Sequence, residues 1–234
     1  MIPKISTTLR ICGVMLLCAS TVAKGASPAQ RPNWTGSFVA RVEALAVLQT
    51  LNADLLSHDS ATLTLERWCD VHRLASPPRI LAVRVPDVEK PPTPEQRRDL
   101  AITPADPVRY RRVKLMCGGI VLSEADNWYV PGRLTPEMNQ RLDTTDTPFG
   151  VAVQALHFQR HTLSAEMLWQ LLPPEWEMKP SAATDTDGAL CVPPQVLRHR
   201  ALLTLPDGTP FSEVIETYTR EALAVPRLRS MRRC

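Results

Sequence analysis

The chain carries no glycine-rich phosphate loop, no serine nucleophile elbow and no paired-histidine zinc motif, so the usual signatures of nucleotide binding, serine hydrolysis and zinc catalysis are missing. It also lacks a strong charge of either sign: 27 Lys and Arg stand against 24 Asp and Glu, a formal net charge of +3. That balance excludes a globally basic nucleic-acid binder, and no nucleic-acid partner is expected. The apolar run from Ile11 to Ala23 has thirteen residues, against the roughly 20 needed to cross a bilayer, so no stable membrane span is expected. There is no internal repeat and no low-complexity tract. The length suits one domain with its own core.

What is present begins with Lys4 and Arg10, the Ile11 to Ala23 run, and small residues at Ala23, Gly25 and Ala26. This order predicts a secretory signal peptide over residues 1–26, hence a periplasmic or secreted protein; the alternative is a cytoplasmic one whose first helix is buried. Cys69, Cys117, Cys191 and Cys234 remain after such processing. An oxidising compartment would permit disulfides among them, with three possible connectivities. None has metal-ligand spacing, and no metal is expected. Residues 227–234, with Arg227, Arg229, Arg232 and Arg233, form a basic tail, either solvated or an anion-binding arm.

Residues 27–226 read as a single domain. Apolar residues at three- and four-residue steps predict a helix from Ser37 to Leu56, and a second is expected from Thr62 to Leu74, capped by Asp59 or Ser60. Val85 to Pro107 is proline-rich and reads as irregular, apart from a turn around Gln96 to Leu100. Val108 to Cys117 and Ile120 to Val130 flank Gly118-Gly119 and predict a hairpin. Thr135-Pro136 opens a short helix to Leu142. Val151 to Gln159 is expected as a strand and Ser164 to Leu171 as a short helix. Pro173 to Pro194 reads as a surface insertion. Leu197 to Leu205 and Pro210 to Thr219 predict a second hairpin around Pro206-Asp207-Gly208-Thr209. Helices first and hairpins after imply an α+β domain, an antiparallel sheet with flanking helices.

Charged residues on the strands are the candidates for chemistry. The two-residue period puts Tyr110, Arg112, Lys114 and Met116 on one face, and Arg109, Arg111, Val113, Leu115 and Cys117 on the other, so either Arg112 or Arg111 approaches the buried side. Such an arginine either clamps a ligand or snorkels. Glu213 and Glu216 lie on opposite faces, and Glu216, sharing its face with Val214 and Tyr218, is the better candidate for an apolar pocket. The rival reading is a solvated or salt-bridged carboxylate.

Tyr110 to Cys117, the turn, the second strand ending Val130-Pro131, Thr147-Pro148-Phe149-Gly150, and a late Gly-x-Pro turn leading to Ile215-Glu216 together resemble bacterial chorismate pyruvate-lyase. Asp59-Ser60-Ala61-Thr62 is similar to the family's aspartate-serine-x-threonine helix start. The resemblance covers roughly Leu51 to Thr219. It implies a chorismate lyase-like fold with a buried ligand and an enzyme, a carbon–oxygen lyase, eliminating pyruvate from chorismate to leave hydroxybenzoate without any cofactor. Counting five residues back from the cysteine, it places the carboxylate-binding arginine at Arg112 and the catalytic glutamate at Glu216, with Glu213 as the alternative. It puts further substrate contacts at Ala61, Phe149 and Arg160. Glu124 and Asn127 are possible pocket residues, the latter where the family has an arginine. The alternative function is a non-catalytic exported binding protein for a small aromatic or carboxylate ligand. A monomer is expected.

Overall fold

A computed structural model describes residues 35–178 and 186–225. The signal peptide read over residues 1–26 and the basic tail at 227–234 lie outside these residues. In chain order the elements are β1 (Thr35–Gly36), α1 (Phe38–Leu56), α2 (Ala61–Val71), β2 (Ile80–Arg84), α3 (Pro94–Asp99), β3 (Arg109–Cys117), β4 (Ile120–Tyr129), α4 (Pro136–Thr144), α5 (Phe149–Ala152), β5 (Gln159–Met167), β6 (Thr186–Ala189), β7 (Gln195–Thr204) and β8 (Pro210–Thr219). Short 3-10 turns occupy Pro131–Arg133, Gln154–Leu156 and Arg220–Leu223. Six strands form one antiparallel sheet in the order β2-β3-β4-β8-β7-β5, and β1 pairs with β6 apart from it. This is the expected α+β architecture of an antiparallel sheet with flanking helices.

Helices α1 to α4 start where a side chain satisfies orphan amides. Ser37 accepts from Ala40 N–H, Ser60 from Leu63 N–H, and Thr135 from Met138 N–H; such caps are each worth about 1 kcal/mol. α1 and α2 lay Leu48, Leu51, Leu55, Leu65 and Trp68 against one face of the sheet, where they meet Val113, Leu115, Ala125, Val214 and Leu197. Trp68 Nε1–H donates to the Ala222 carbonyl at 2.9 Å, tying α2 to the last 3-10 turn. A second cluster around Tyr129, Leu142, Phe149, Leu203 and Phe211 closes the end of the sheet beneath α4 and α5. The strap from Val85 to α3 crosses the other face: Trp128 Nε1–H donates to the Lys90 carbonyl, and Gln96 is buried there.

Both hairpins form as predicted. At the first turn Gly118 takes φ +57, a left-handed conformation that favours glycine. Three expectations are corrected. β2 lies in a stretch with no predicted element, and its main-chain bonds complete the sheet edge beside β3. Val151 to Gln159 is not a strand, because Pro148 sets up the α5 turn, which runs on through Gln154–Leu156 into the left-handed residue His157. Ser164 to Leu171 is not a helix: its first half belongs to β5, an edge strand whose register slips between Thr162 and Ser164. Within Pro173 to Pro194, β6 gives the insertion a strand.

Of the three possible connectivities, the structure pairs Cys69 with Cys117, Cα atoms 6.3 Å apart, joining the end of α2 to the end of β3. Cys191 is exposed and, among the described residues, free. No helix among the described residues is long and apolar enough to cross a membrane. The bridge closes a loop of 48 residues, for which chain entropy gives about 4 kcal/mol. Chemical denaturation of the Cys69→Ala/Cys117→Ala double variant is expected to show a loss of that order; a loss below about 1 kcal/mol would contradict it.

Candidate binding site

The site lies on the inner face of the sheet, between β3, β4 and β8 on one side and the starts of α2 and α5 on the other. β3 alternates cleanly. Arg111, Val113, Leu115 and Cys117 are buried, while Tyr110, Arg112, Lys114 and Met116 are only partly covered. Cys117 and the two aliphatic residues have to face the core, and Arg111 shares their parity. The arginine that enters is therefore Arg111, and the assignment of substrate binding and catalysis to Arg112 is corrected. Arg112 lies on the opposite face, ion-paired to Glu124 at 3.2 Å and Asp126 at 3.6 Å, with its side chain about a third exposed. Glu124 goes with it and does not line the slot.

Glu213 is also on that outer face, fully buried. Its Oε1 accepts from Arg200 Nε at 2.8 Å and Gln96 Nε2 at 3.2 Å, while Arg200 reaches Glu95 and Asp99 of α3. Glu213 thus anchors the strap, and of the two glutamates it is Glu216 that lines the slot. Glu216 sits inside, opposite Ala125 on β4 and His199 on β7. Its Oε2 accepts from Arg160 Nη2 at 2.6 Å and from the Tyr218 hydroxyl at 3.1 Å. Arg160 is delivered by β5, and its backbone N–H donates to Asp59 Oδ1 at 3.0 Å. Burial works to lower the Arg160 pKa, but the charge of Glu216, its hydrogen bond and the nearby Tyr218 and Asp59 together outweigh it and hold the guanidinium above its ordinary value.

Between these groups runs a narrow slot lined by Ala61, Thr62, Arg111, Val113, Leu115, Ala125, Asn127, Phe149, Phe158, Arg160, Val214 and Glu216, among others. It holds about 500 Å³ of empty space, mouth included. Of the residues expected to contact a ligand, Ala61, Phe149, Arg160, Glu216 and Asn127 are brought together here. Gly150 belongs to the wall for a steric reason: a Cβ there would lie 3.1 Å from Ser60 Oγ, so glycine lets α5 approach the start of α2.

Arg111 is 7% exposed. Its Nη2 donates to the Thr147 carbonyl at 3.1 Å and, more loosely, to that of Thr145 at 3.5 Å. Its Nε has no hydrogen-bond partner, and no carboxylate lies within ion-pair reach among the described residues. Burial pulls this guanidinium down to about 10. It stays charged at neutral pH, with its donors under-used. That combination suits an incoming anion, since a buried unpaired donor costs about 1–3 kcal/mol.

Behind Glu216 the imidazole of His199 is fully buried. Its Nε2 is 2.8 Å from Asn52 Oδ1 on α1, its ring stands edge-on to Tyr218, and its Nδ1 has no partner among the described residues. Burial also pushes the Tyr218 phenol well above its usual value. His199 and Ser212 escaped the sequence reading, whereas Tyr218 had been placed on the face of Glu216; the signal that would have found the other two is their shared parity with Glu216 or with its neighbours across the sheet. Among the described residues no three His, Cys, Asp or Glu side chains group so as to hold a metal ion.

Fold and slot together define an α+β protein with an anion-ready pocket under its sheet. The chain belongs to the same family as the uncharacterized protein y4mC of Sinorhizobium fredii (strain NBRC 101917 / NGR234), with which it is 53% identical over 194 residues, 82% of each chain. No family model matches it. Among solved structures, the effector domain of PhnF from Mycobacterium smegmatis is similar with a TM-score of 0.44 at 11% identity, covering 69% of this chain and 88% of that one. The possible transcriptional regulator YydK from Bacillus subtilis gives 0.38 at 17% identity, covering 61% of this chain and 58% of that one, so the chain spans little more than half of YydK.

Burial holds His199 at about 4, against 6.5 for an ordinary histidine. Because the folded-state value is depressed, the unfolded chain binds the extra proton first, and stability falls as pH drops from about 6.5 to about 4. Thermal unfolding followed across that range is expected to show a falling Tm, flattened in His199→Asn. Identical pH profiles for the two proteins would contradict the assignment.

Proposed function

We propose that this chain is a small-molecule binding protein whose slot takes a flat, carboxylate-bearing ligand. The carboxylate sits on Arg111, the ring lies between Val113, Val214 and Phe149, and the far end rests beside Glu216. The observation that carries this reading is Arg111 itself, a buried cation without a carboxylate partner among the described residues, at the wall of an apolar cleft. Taking a charge out of water costs several kcal/mol, and a ligand anion offsets that cost with charge-assisted hydrogen bonds. Glu216, fixed by Arg160 and Tyr218, keeps lone pairs for a ligand hydroxyl. The slot is narrow, with Val113 and Val214 of the sheet on one side and Phe149 and Phe158 on its walls, which favours a planar ligand over a bulky one.

A second reading is elimination of pyruvate from chorismate to give hydroxybenzoate. It draws support from Arg111 and Glu216 lining one slot. The binding reading is preferred because Glu216 Oε2 is already engaged twice, which leaves less freedom to carry a proton to a departing group. The Cys69–Cys117 bridge supports the further proposal that the protein works in an oxidising, exported setting.

Calorimetry with benzoate and 4-hydroxybenzoate tests the assignment. Wild-type protein is expected to bind. Arg111→Met is expected to weaken binding by about 30-fold or more, the effect of removing one partner of a buried charged pair, while Arg112→Ala stays within about twofold. Binding retained in Arg111→Met, or lost in Arg112→Ala, would overturn the reading. Chorismate incubated with the protein is expected to yield no hydroxybenzoate; release of hydroxybenzoate and pyruvate would replace binding with the lyase.

A further inference from the structure

We infer that the slot selects singly charged acids over doubly charged ones, and that Asn127, held by Ser212, sets this preference by presenting a neutral donor beside Arg111. The inference rests on the ligand-binding reading above and goes on to name the class of acid.

Arg111 and Asn127 are direct cross-strand partners of β3 and β4, and both are buried on the slot side. Side chains paired in this way on one face stand about 5 Å apart at Cβ. Both line the same slot, so a carboxylate bound on the slot side of Arg111 has the Asn127 amide on the neighbouring strand beside it. The amide has one acceptor and one donor group, and the Ser212 hydroxyl decides which is presented: it donates to Asn127 Oδ1 at 2.9 Å, in a pair that is buried on both sides. With its oxygen committed to β8, Asn127 offers its NH2. Two donors on neighbouring strands, one charged and one neutral, are thus left for the same oxygens.

The charge count then limits the ligand. Four charged residues line the slot: Arg111, Arg160, Glu216 and Asp59. Arg160 and Glu216 cancel at 2.6 Å. Asp59, exposed at the mouth, accepts from the backbone of Arg160. One cation, Arg111, is left unmatched, and one negative charge neutralises it. Arg111 and Glu216 are two strands and one two-residue step apart, roughly 12 Å between Cα atoms from sheet spacings. A ring whose carboxylate is on Arg111 therefore points its opposite substituent toward Glu216. A hydroxyl there donates to the carboxylate, whereas a second carboxylate faces Glu216 with no unmatched cation to receive it. Discrimination comes from this repulsion as much as from the attraction at Arg111.

The test compares ligands of one ring length by calorimetry: benzoate and 4-hydroxybenzoate against terephthalate, with chorismate as a second dianion. Wild-type protein is expected to prefer the monoacids by at least about tenfold. In Asn127→Asp the new carboxylate pairs with Arg111, and monoacid binding is expected to disappear while circular dichroism stays native. Ser212→Ala frees the amide to turn its oxygen toward Arg111, so monoacid affinity and the mono-to-dianion ratio both fall severalfold; Ser212→Thr, which keeps the hydroxyl, restores both. A purely structural role for Ser212 would move Tm and leave the ratio alone. Terephthalate bound as tightly as benzoate, full monoacid binding in Asn127→Asp, or an unchanged ratio in Ser212→Ala would each overturn the inference. Failure of every acid to bind wild-type protein would instead sink the ligand-binding reading on which it stands.

Discussion

The two-residue period of β3, pinned at its end by the Cys69–Cys117 bridge, is the constraint on which the rest depends. Once Cys117 is tied to the end of α2, Leu115 and Val113 have to enter the core and the sheet face is chosen. Arg111 follows by parity whatever its own preference for water. A one-residue slip would put Arg112, Lys114 and Met116 inside and turn two aliphatic residues out. The energy of the core thus holds a guanidinium in a place it would not occupy alone.

The same logic divides the two acidic residues of β8. Each is buried, and each has an arginine from a neighbouring stretch of chain: Arg160 for Glu216 inside, Arg200 for Glu213 outside. Their surroundings differ. Outside, Arg200 is shared among Glu213, Glu95 and Asp99, and the cluster fastens α3 to the sheet. Inside, Arg160 and Glu216 are a closed pair at the wall of a cavity, with Arg111 left over. One face uses charge to hold structure together, and the other keeps a charge in reserve.

Much of this was legible in the sequence, for identifiable reasons. α1, α2 and both hairpins carry strong periodicities or turn glycines, and each formed within a few residues of its expected bounds. The stretch from Val151 to Leu171 misled because an apolar run after Pro148-Phe149-Gly150 imitates a strand, while β5 is mostly exposed, with only Arg160 and Met167 partly covered, and shows no alternation. β2 is five residues long with a partial pattern, too little to stand out. In the site, Glu216, Arg160, Ala61 and Phe149, named by resemblance, line one slot. Arg112 does not, because counting back from Cys117 ignored what alternation already implied, that residues an odd number of steps from a buried cysteine point away from it. Ser212 and His199 lie on the inner face among apolar neighbours, and only the register of β4, β8 and β7 joins them to the slot.

β5 closes one end of the sheet order and, among the described residues, pairs with β7 alone. Its register breaks at Leu163. A straight, uncharged border of this length would be a template for stacking onto another chain, and a kink of this kind spoils the template. The strand that brings Arg160 to Glu216 therefore does so from the rim of the molecule, with its outer main chain bent out of line for any strand that would add to it.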